Sequence, residues 1–278
     1  MLTGKALIAD VNRTQARYGE VAAWWMGQHS FIFKAGDVVI YVDPFLTPVP
    51  DRQVPPLLRP DEVTNATIVC GTHDHLDHID RDVWPVIAAA SPHARFILPA
   101  LVKESVVVEQ GIAPDRLIGL DDGVSAEVGG VRITGVASAH ELLDRDAATG
   151  MYPYLGYVLE ANGCAIYHSG DSCIYEGMHA RLRQWPLDAM FLPINGRDAV
   201  RLASGCIGNM TYQEAADLSG ALQPGLTIPA HYEMFAGNSA DPQAFLDYMR
   251  VKYPALQTAL PGHGEKFIIG ARSRPAVN

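Results

Sequence analysis

Residues 71–80 read G-T-H-D-H-L-D-H-I-D, and this stretch sets His73, His75, Asp77 and His78 within six residues. Imidazole and carboxylate are the usual protein ligands of borderline and hard divalent metals. In an extended segment, side chains at i and i+2 point the same way, so His73 and His75 can grip one ion together. Asp77 and His78 follow where a helix would begin, so the chain rotates and aims them at a neighbouring point. The spacing fits two ions side by side better than one. A solvated polar loop is the alternative. It accounts for a lone histidine more readily than for H-x-H-x-D-H after an apolar strand.

Three more candidates share one local pattern. His140, Asp171 and His231 each lie just after an apolar, strand-like run: V-R-I-T-G-V-A-S-A-H, C-A-I-Y-H-S-G-D and L-T-I-P-A-H. Strands place side chains more accurately than free loops do, as a metal cage requires. Seven polar groups gathered away from water need compensation, which divalent ions supply.

The rest of the chain supports a sandwich. Residues 4–17 read as helix. Residues 20–27, 30–34 and 38–42 read as strands, with Gly36-Asp37 as a turn. Residues 45–64 are proline-rich, and their length suggests a flap over a pocket. Residues 67–70 form a short strand running into the histidine loop, and Asp80 reads as the N-cap of a helix to about residue 90. Strands at 96–99, 116–120, 125–128, 131–137, 154–160, 164–167, 189–194 and 226–229 alternate with helices at 100–110, 175–184, 211–222 and one beginning at Asp241. Residues 197–210 read as loop, and 258–269 close the chain. Strands with helices in both halves imply two mixed sheets packed face to face with helices outside, an α/β sandwich with the ligand loops along one edge. The chain reads as one domain over residues 1–278.

Composition narrows the function. The 278 residues are 48% hydrophobic and 19% charged, with a formal net charge of -10. That balance disfavours nucleic acid, which wants basic patches. No apolar run approaches the ~18 residues of a membrane span. Cys70, Cys164, Cys173 and Cys206 are far apart and show no C-x-x-C pairing, as expected of free thiols in a cytoplasmic protein. The expected partner is a small molecule, with an anionic substrate and a homo-oligomer both compatible with the sequence.

At the level of motifs the chain resembles the metallo-β-lactamase superfamily. Within it the chain is similar to the L-ascorbate-6-phosphate lactonase family, through A-W-W-M-G at 23–27, T-H-D-H-L-D-H-I-D at 72–80, Y-H-S-G-D-S at 167–172, M-T-Y-Q-E-A at 210–215 and A-D-P-Q-A at 240–244. The resemblance implies an αβ/βα sandwich. It implies His73, His75 and His140 on one ion, Asp77, His78 and His231 on a second, and Asp171 between them. The ions would be zinc or manganese, with iron acceptable to such a cage. A redox di-iron role fits less well, because relatives of that kind tend to carry an acidic residue where His75 stands.

The expected activity is metal-dependent hydrolysis of a lactone or related ester of a sugar-like molecule. Bound water, made acidic by the ions, supplies hydroxide, and Asp77 or Asp171 handles the proton. A small-molecule phosphodiesterase with the same centre is the alternative, and a metal-binding or sensing protein without turnover is the alternative of another class. Candidates for supporting roles are Asp43 as an anchor for the metal loop, His168 beside Asp171 or as a packed polar residue, Arg197 and Arg201 as solvated loop charges or as clamps for an anionic group, and Tyr232 next to His231.

Overall fold

The computed structural model describes residues 1–272. Helix α1 (Gly4–Arg13) leads into a meander of β1 (Glu20–Gly27), β2 (Ser30–Ala35) and β3 (Val38–Val42). Then come β4 (Ile68–Cys70), α2 (Trp84–Ala90), β5 (Arg95–Pro99), α3 (Ala100–Gln110) and β6 (Leu117–Leu120). The second half holds β7 (Ser125–Val128), β8 (Val131–Ala137), β9 (Leu155–Ala161), β10 (Cys164–His168), α4 (Met178–Leu182) and β11 (Ala189–Pro193). It ends with α5 (Ala199–Ala203), α6 (Tyr212–Leu222), β12 (Leu226–Ala230), α7 (Pro242–Lys252) and β13 (Lys266–Gly270).

One sheet runs β13-β1-β2-β3-β4-β5-β6 and the other β12-β11-β10-β9-β8-β7. Both are mixed. The β3-to-β6 and β10-to-β12 neighbours are parallel, and the meanders are antiparallel. The last strand, β13, returns to pair with β1. This is the expected architecture of two packed mixed sheets with helices.

Alternation along β1 explains the layering. Side chains on a strand alternate between faces. Trp25 therefore packs between the sheets with Phe31, Phe33, Tyr157 and Phe191. Trp24, its neighbour, packs on the other face with Leu7, Val11 and Trp84 beneath α1 and α2. Its indole nitrogen donates to Asp10 Oδ2 at 3.0 Å, so the buried ring leaves no unmet donor.

Some local expectations fail for identifiable reasons. Helix α1 stops at Arg13, because Thr14 turns extended and its hydroxyl donates to the Asp10 carbonyl at 2.7 Å. Asp80 caps no helix. Its carboxylate accepts from Leu46 N, Thr47 N and the Thr47 hydroxyl at 2.7–3.0 Å, and α2 starts only at Trp84. Helix α4 is confined to five residues behind Gly177, whose φ is +90°. The segment read as loop contains α5, nucleated by Asp198 accepting from Val200 N and Arg201 N. Within the closing segment, strand begins at Lys266.

The turn after β4 depends on a missing side chain. A Cβ on Gly71 would collide with Ile79 Cγ1 and sit 2.8 Å from Trp84 Cζ2. Both neighbours are fully packed, so there is nowhere for them to move. Gly71→Ala should lower unfolding free energy by about 1–3 kcal/mol, as overpacking does. Chemical denaturation checks this, and an unchanged midpoint would show that the turn tolerates a methyl group.

Candidate metal centre

The candidate ligands reach the centre from the C-terminal ends of strands. Strand β3 delivers Asp43 and β4 delivers the histidine loop. Strands β8, β10 and β12 deliver His140, Asp171 and His231. Open α/β sheets bind ligands at this edge, where loops diverge from the strand ends. After Gly71 the loop tightens into a turn, with His78 N and Ile79 N both donating to the His75 carbonyl. That turn is what swings Asp77 and His78 away from the direction of His73 and His75.

The seven candidate ligands come together. His73, His75 and His140 offer ring nitrogens that all lie within 4.8 Å of one another. Asp77, His78 and His231 form a second such group. His78 Nε2 and His231 Nε2 stand 3.5 and 3.4 Å from Asp77 Oδ2. Asp171 lies between the groups: its Oδ1 is 3.3 Å from His78 Nε2, and its Oδ2 is 3.0 Å from His231 Nε2 and 3.6 Å from His140 Nε2.

Partners behind the rings fix which nitrogen faces inward. Asp43 accepts from His78 Nδ1 at 2.6 Å, which leaves Nε2 free toward the centre. His140 Nδ1 donates to the Gly208 carbonyl at 3.0 Å with the same result. Such outer contacts set tautomer and orientation in metal sites. Asp43 also accepts from Thr72 N and the Thr72 hydroxyl, each at 2.8 Å, so it ties the metal loop to β3.

The donor set fits divalent ions. His78 Nε2 and Asp171 Oδ1 are buried with no hydrogen-bond partner in the protein. Buried polar atoms rarely stay unpartnered. Burial pushes the His73 ring well below its ordinary pKa, and His75 and His140 also fall, so all three are neutral donors. Burial also opposes charge on His231. The Asp171 and Asp77 carboxylates outweigh it and carry that ring up to about 10. Without an ion, protons on His231 and His78 supply the positive charge that these carboxylates require.

Other candidates sit elsewhere. His168 lies beneath the centre and donates from Nε2 to the His29 carbonyl at 2.8 Å, while its Nδ1 accepts from Gly170 N. His29, Asp43 and His168 form a further close group, but Asp43 and His168 are committed to the partners just described. Arg197 is paired with both oxygens of Glu214 at 2.7 and 2.8 Å. Arg201 holds Asp198, the Asn195 carbonyl and Asn238. Neither is a free clamp. Tyr232 packs its ring on Trp25, centroids 5.3 Å apart.

A cavity of about 320 Å³ opens onto the centre, walled by Leu76, Cys206, Ile207, Phe235 and Asn238. The proline-rich segment does not cover it. That segment buttresses the wall from behind, with Gln53 N donating to the Met234 carbonyl and Phe45 packing on Phe235. A larger cleft of about 580 Å³ beside Asp188 and Arg272 lies away from the ligand cluster.

Three residues at the centre lie outside the sequence reading. Gln28 and His29 come from the β1–β2 hairpin, with His29 Nδ1 3.6 Å from Asp171 Oδ1. Asn209 donates to Asp171 Oδ2 at 2.9 Å. The hairpin follows a strand tip, as the ligands do, and that is the one signal that pointed to it. Asn209 carried none.

Residues 39–232 match the family described as Beta-lactamase superfamily domain. A UPF0173 metal-dependent hydrolase of Thermococcus onnurineus is 30% identical over 218 residues, 78% of this chain and 87% of that protein. Its counterpart in Pyrococcus abyssi is 28% identical over 219 residues, with the same coverage. Among solved structures, Igni18, a metallo hydrolase from Ignicoccus hospitalis, superposes with a TM-score of 0.71 at 21% identity, over 90% of this chain and 98% of that one. CmlA, a diiron beta-hydroxylase from Streptomyces venezuelae, gives 0.67 at 15% identity, over 92% and 55%. At these identities the likeness of the solved structures is one of fold.

The Asp43–His78 contact generates a prediction. An amide at position 43 presents either a donor to the His78 Nδ1–H or a weaker acceptor, which loosens the tautomer. Asp43→Asn should weaken metal binding by roughly 10–100-fold. Competition against a chromogenic chelator measures this, and wild-type affinity would show that His78 needs no such partner.

Proposed function

The chain belongs to the metallo-β-lactamase superfamily, within the UPF0173 metal-dependent hydrolases, and we propose that its substrate is a lactone or related ester. His73, His75 and His140 would hold one divalent ion and Asp77, His78 and His231 a second, with Asp171 shared. When bound, such ions lower the pKa of water toward ~7 and polarise a carbonyl oxygen.

The observation that carries the choice of bond is the absence of a free cation from the cavity wall. Among the described residues lining it there is no lysine or arginine, and the nearby Arg197 and Arg201 are spent on protein partners. A phosphodiester's charge would fall to the ions alone, whereas a carboxylic ester or lactone asks for no further cation. Leu76, Ile207 and Phe235 give its carbon skeleton an apolar surface, and Asn238 offers a polar contact. The motif resemblance to a lactonase family supports a lactone as the bond cleaved, while the phosphate in that family's name finds no lysine or arginine among the described lining residues.

Asp77 is the better placed of the two carboxylates to handle the proton. Both line the cavity, but the Asp77 side chain is 18% exposed against 4% for Asp171. It takes a proton from the attacking water and returns it to the departing alkoxide oxygen. Asp171, pinned by Asn209, keeps the two ligand groups together. Cys206 is on the wall, but burial raises its pKa and leaves it a thiol, so no thiolate nucleophile competes.

The test is protein loaded with zinc or manganese, assayed against lactones, aryl esters and bis-(p-nitrophenyl) phosphate. Lactone or ester turnover is expected, abolished by His73→Ala and by chelation. Turnover of the phosphodiester alone would favour the phosphodiesterase reading. A fully loaded protein that hydrolyses nothing would favour a metal-binding protein without catalysis.

A further inference from the structure

Gln28 has no assigned role, yet its surroundings hold it with unusual insistence. Its φ is +53°, a region that non-glycine residues seldom occupy and that persists where neighbours over-determine it. Its backbone nitrogen donates to Glu233 Oε1 at 2.8 Å. Its carbonyl accepts from Trp25 Nε1 at 3.1 Å and from His231 N at 3.0 Å. Gly27 just before it has a φ of +95°, a conformation that side chains rarely adopt. Strain of this kind clusters at ligand sites.

The side chain is fully buried. Its amide nitrogen lies 2.8 Å from Asp77 Oδ2 and 3.0 Å from His231 Nε2, and its amide oxygen has no partner. Adjacent donor atoms around an octahedral ion with bonds of about 2.1 Å are roughly 3 Å apart. The end of Gln28 thus stands to two ligands of the second group as one ligand stands to another.

Resting on the reading of this cluster as a metal centre, we propose that Gln28 is a further ligand of the ion held by Asp77, His78 and His231. With no ion, the amide nitrogen faces inward and donates to Asp77. A half-turn about the Cγ–Cδ bond exchanges nitrogen for oxygen at the same position, since the two differ little in size. The second group then offers three oxygens, from Asp77, Asp171 and Gln28, and two imidazoles. The first offers three imidazoles and Asp171. Five mixed ligands suit manganese or iron(II), which take more oxygen ligands than tetrahedral zinc does. The two positions are therefore unequal, and the oxygen-rich one is selective for the harder ion.

Metal-free wild type, Gln28→Leu and Gln28→Glu are titrated with manganese chloride in a calorimeter, and the cobalt-loaded forms are examined by visible absorption. Wild type should take two ions. Gln28→Leu should keep the first, which also reports that it folds, and bind the second at least roughly tenfold more weakly, as loss of a supporting group does. Gln28→Glu should tighten the second. The cobalt bands of Gln28→Leu should intensify as the coordination number falls. Two ions bound by Gln28→Leu with wild-type affinities would overturn the assignment. So would a single ion held alike by wild type and Gln28→Leu. A wild type that takes no ion would overturn the metal centre itself, an outcome distinct from either.

Discussion

Asp171 is buried among imidazoles, with His78, His231 and His140 all within 3.6 Å of its carboxylate. Burial alone would drive such a carboxyl toward its neutral form. The positive charge of His231 and His78 outweighs it and holds Asp171 well below the usual carboxylate range. The contact joins the halves of the molecule, because His78 follows the first sheet while Asp171 and His231 follow the second. Face-to-face packing of the sheets, through Phe31, Phe33, Tyr157 and Phe191, is what makes this meeting possible. A cation, either protons on the rings or bound metal, balances the carboxylates gathered at this edge.

The support for that meeting is as specific as the meeting itself. Asp43 at φ +49° and His231 at φ +57° are both in the left-handed region, so the chain turns sharply as soon as it leaves β3 and β12. Asp43 spends that turn on Thr72 and His78. Rigid strands and short strained turns keep the candidate ligands in place, whereas the cavity wall is drawn from the connecting segments around Cys206 and Phe235. This division is common where a scaffold carries chemistry and loops carry specificity.

Much of this was legible in the sequence. The loop at 73–78 could be read because its ligands are local and the period of an extended chain relates them. His140, Asp171 and His231 could be read because each follows an apolar run that had to be a strand. The opposite burial of Trp24 and Trp25 followed from alternation alone. What escaped were partnerships across space. Arg197 and Arg201 looked free, because pairing with Glu214 seventeen residues on, or with Asn238, leaves no local trace. Asp80 looked like a cap, because nothing near it in sequence pointed to Leu46 and Thr47. Gln28 carried no local signal, because its amide finds its neighbours only across space, in Asp77 after β4 and His231 after β12.

The central claim is that this edge is a two-ion centre, and anomalous diffraction from crystals of the metal-loaded protein tests it most directly. Maps collected at the absorption edge of the bound metal should contain two peaks about 4 Å apart, one beside His73, His75 and His140, the other beside Asp77, His78 and His231, with Asp171 touching both. A map from metal-saturated crystals with no peak among these residues would contradict the account.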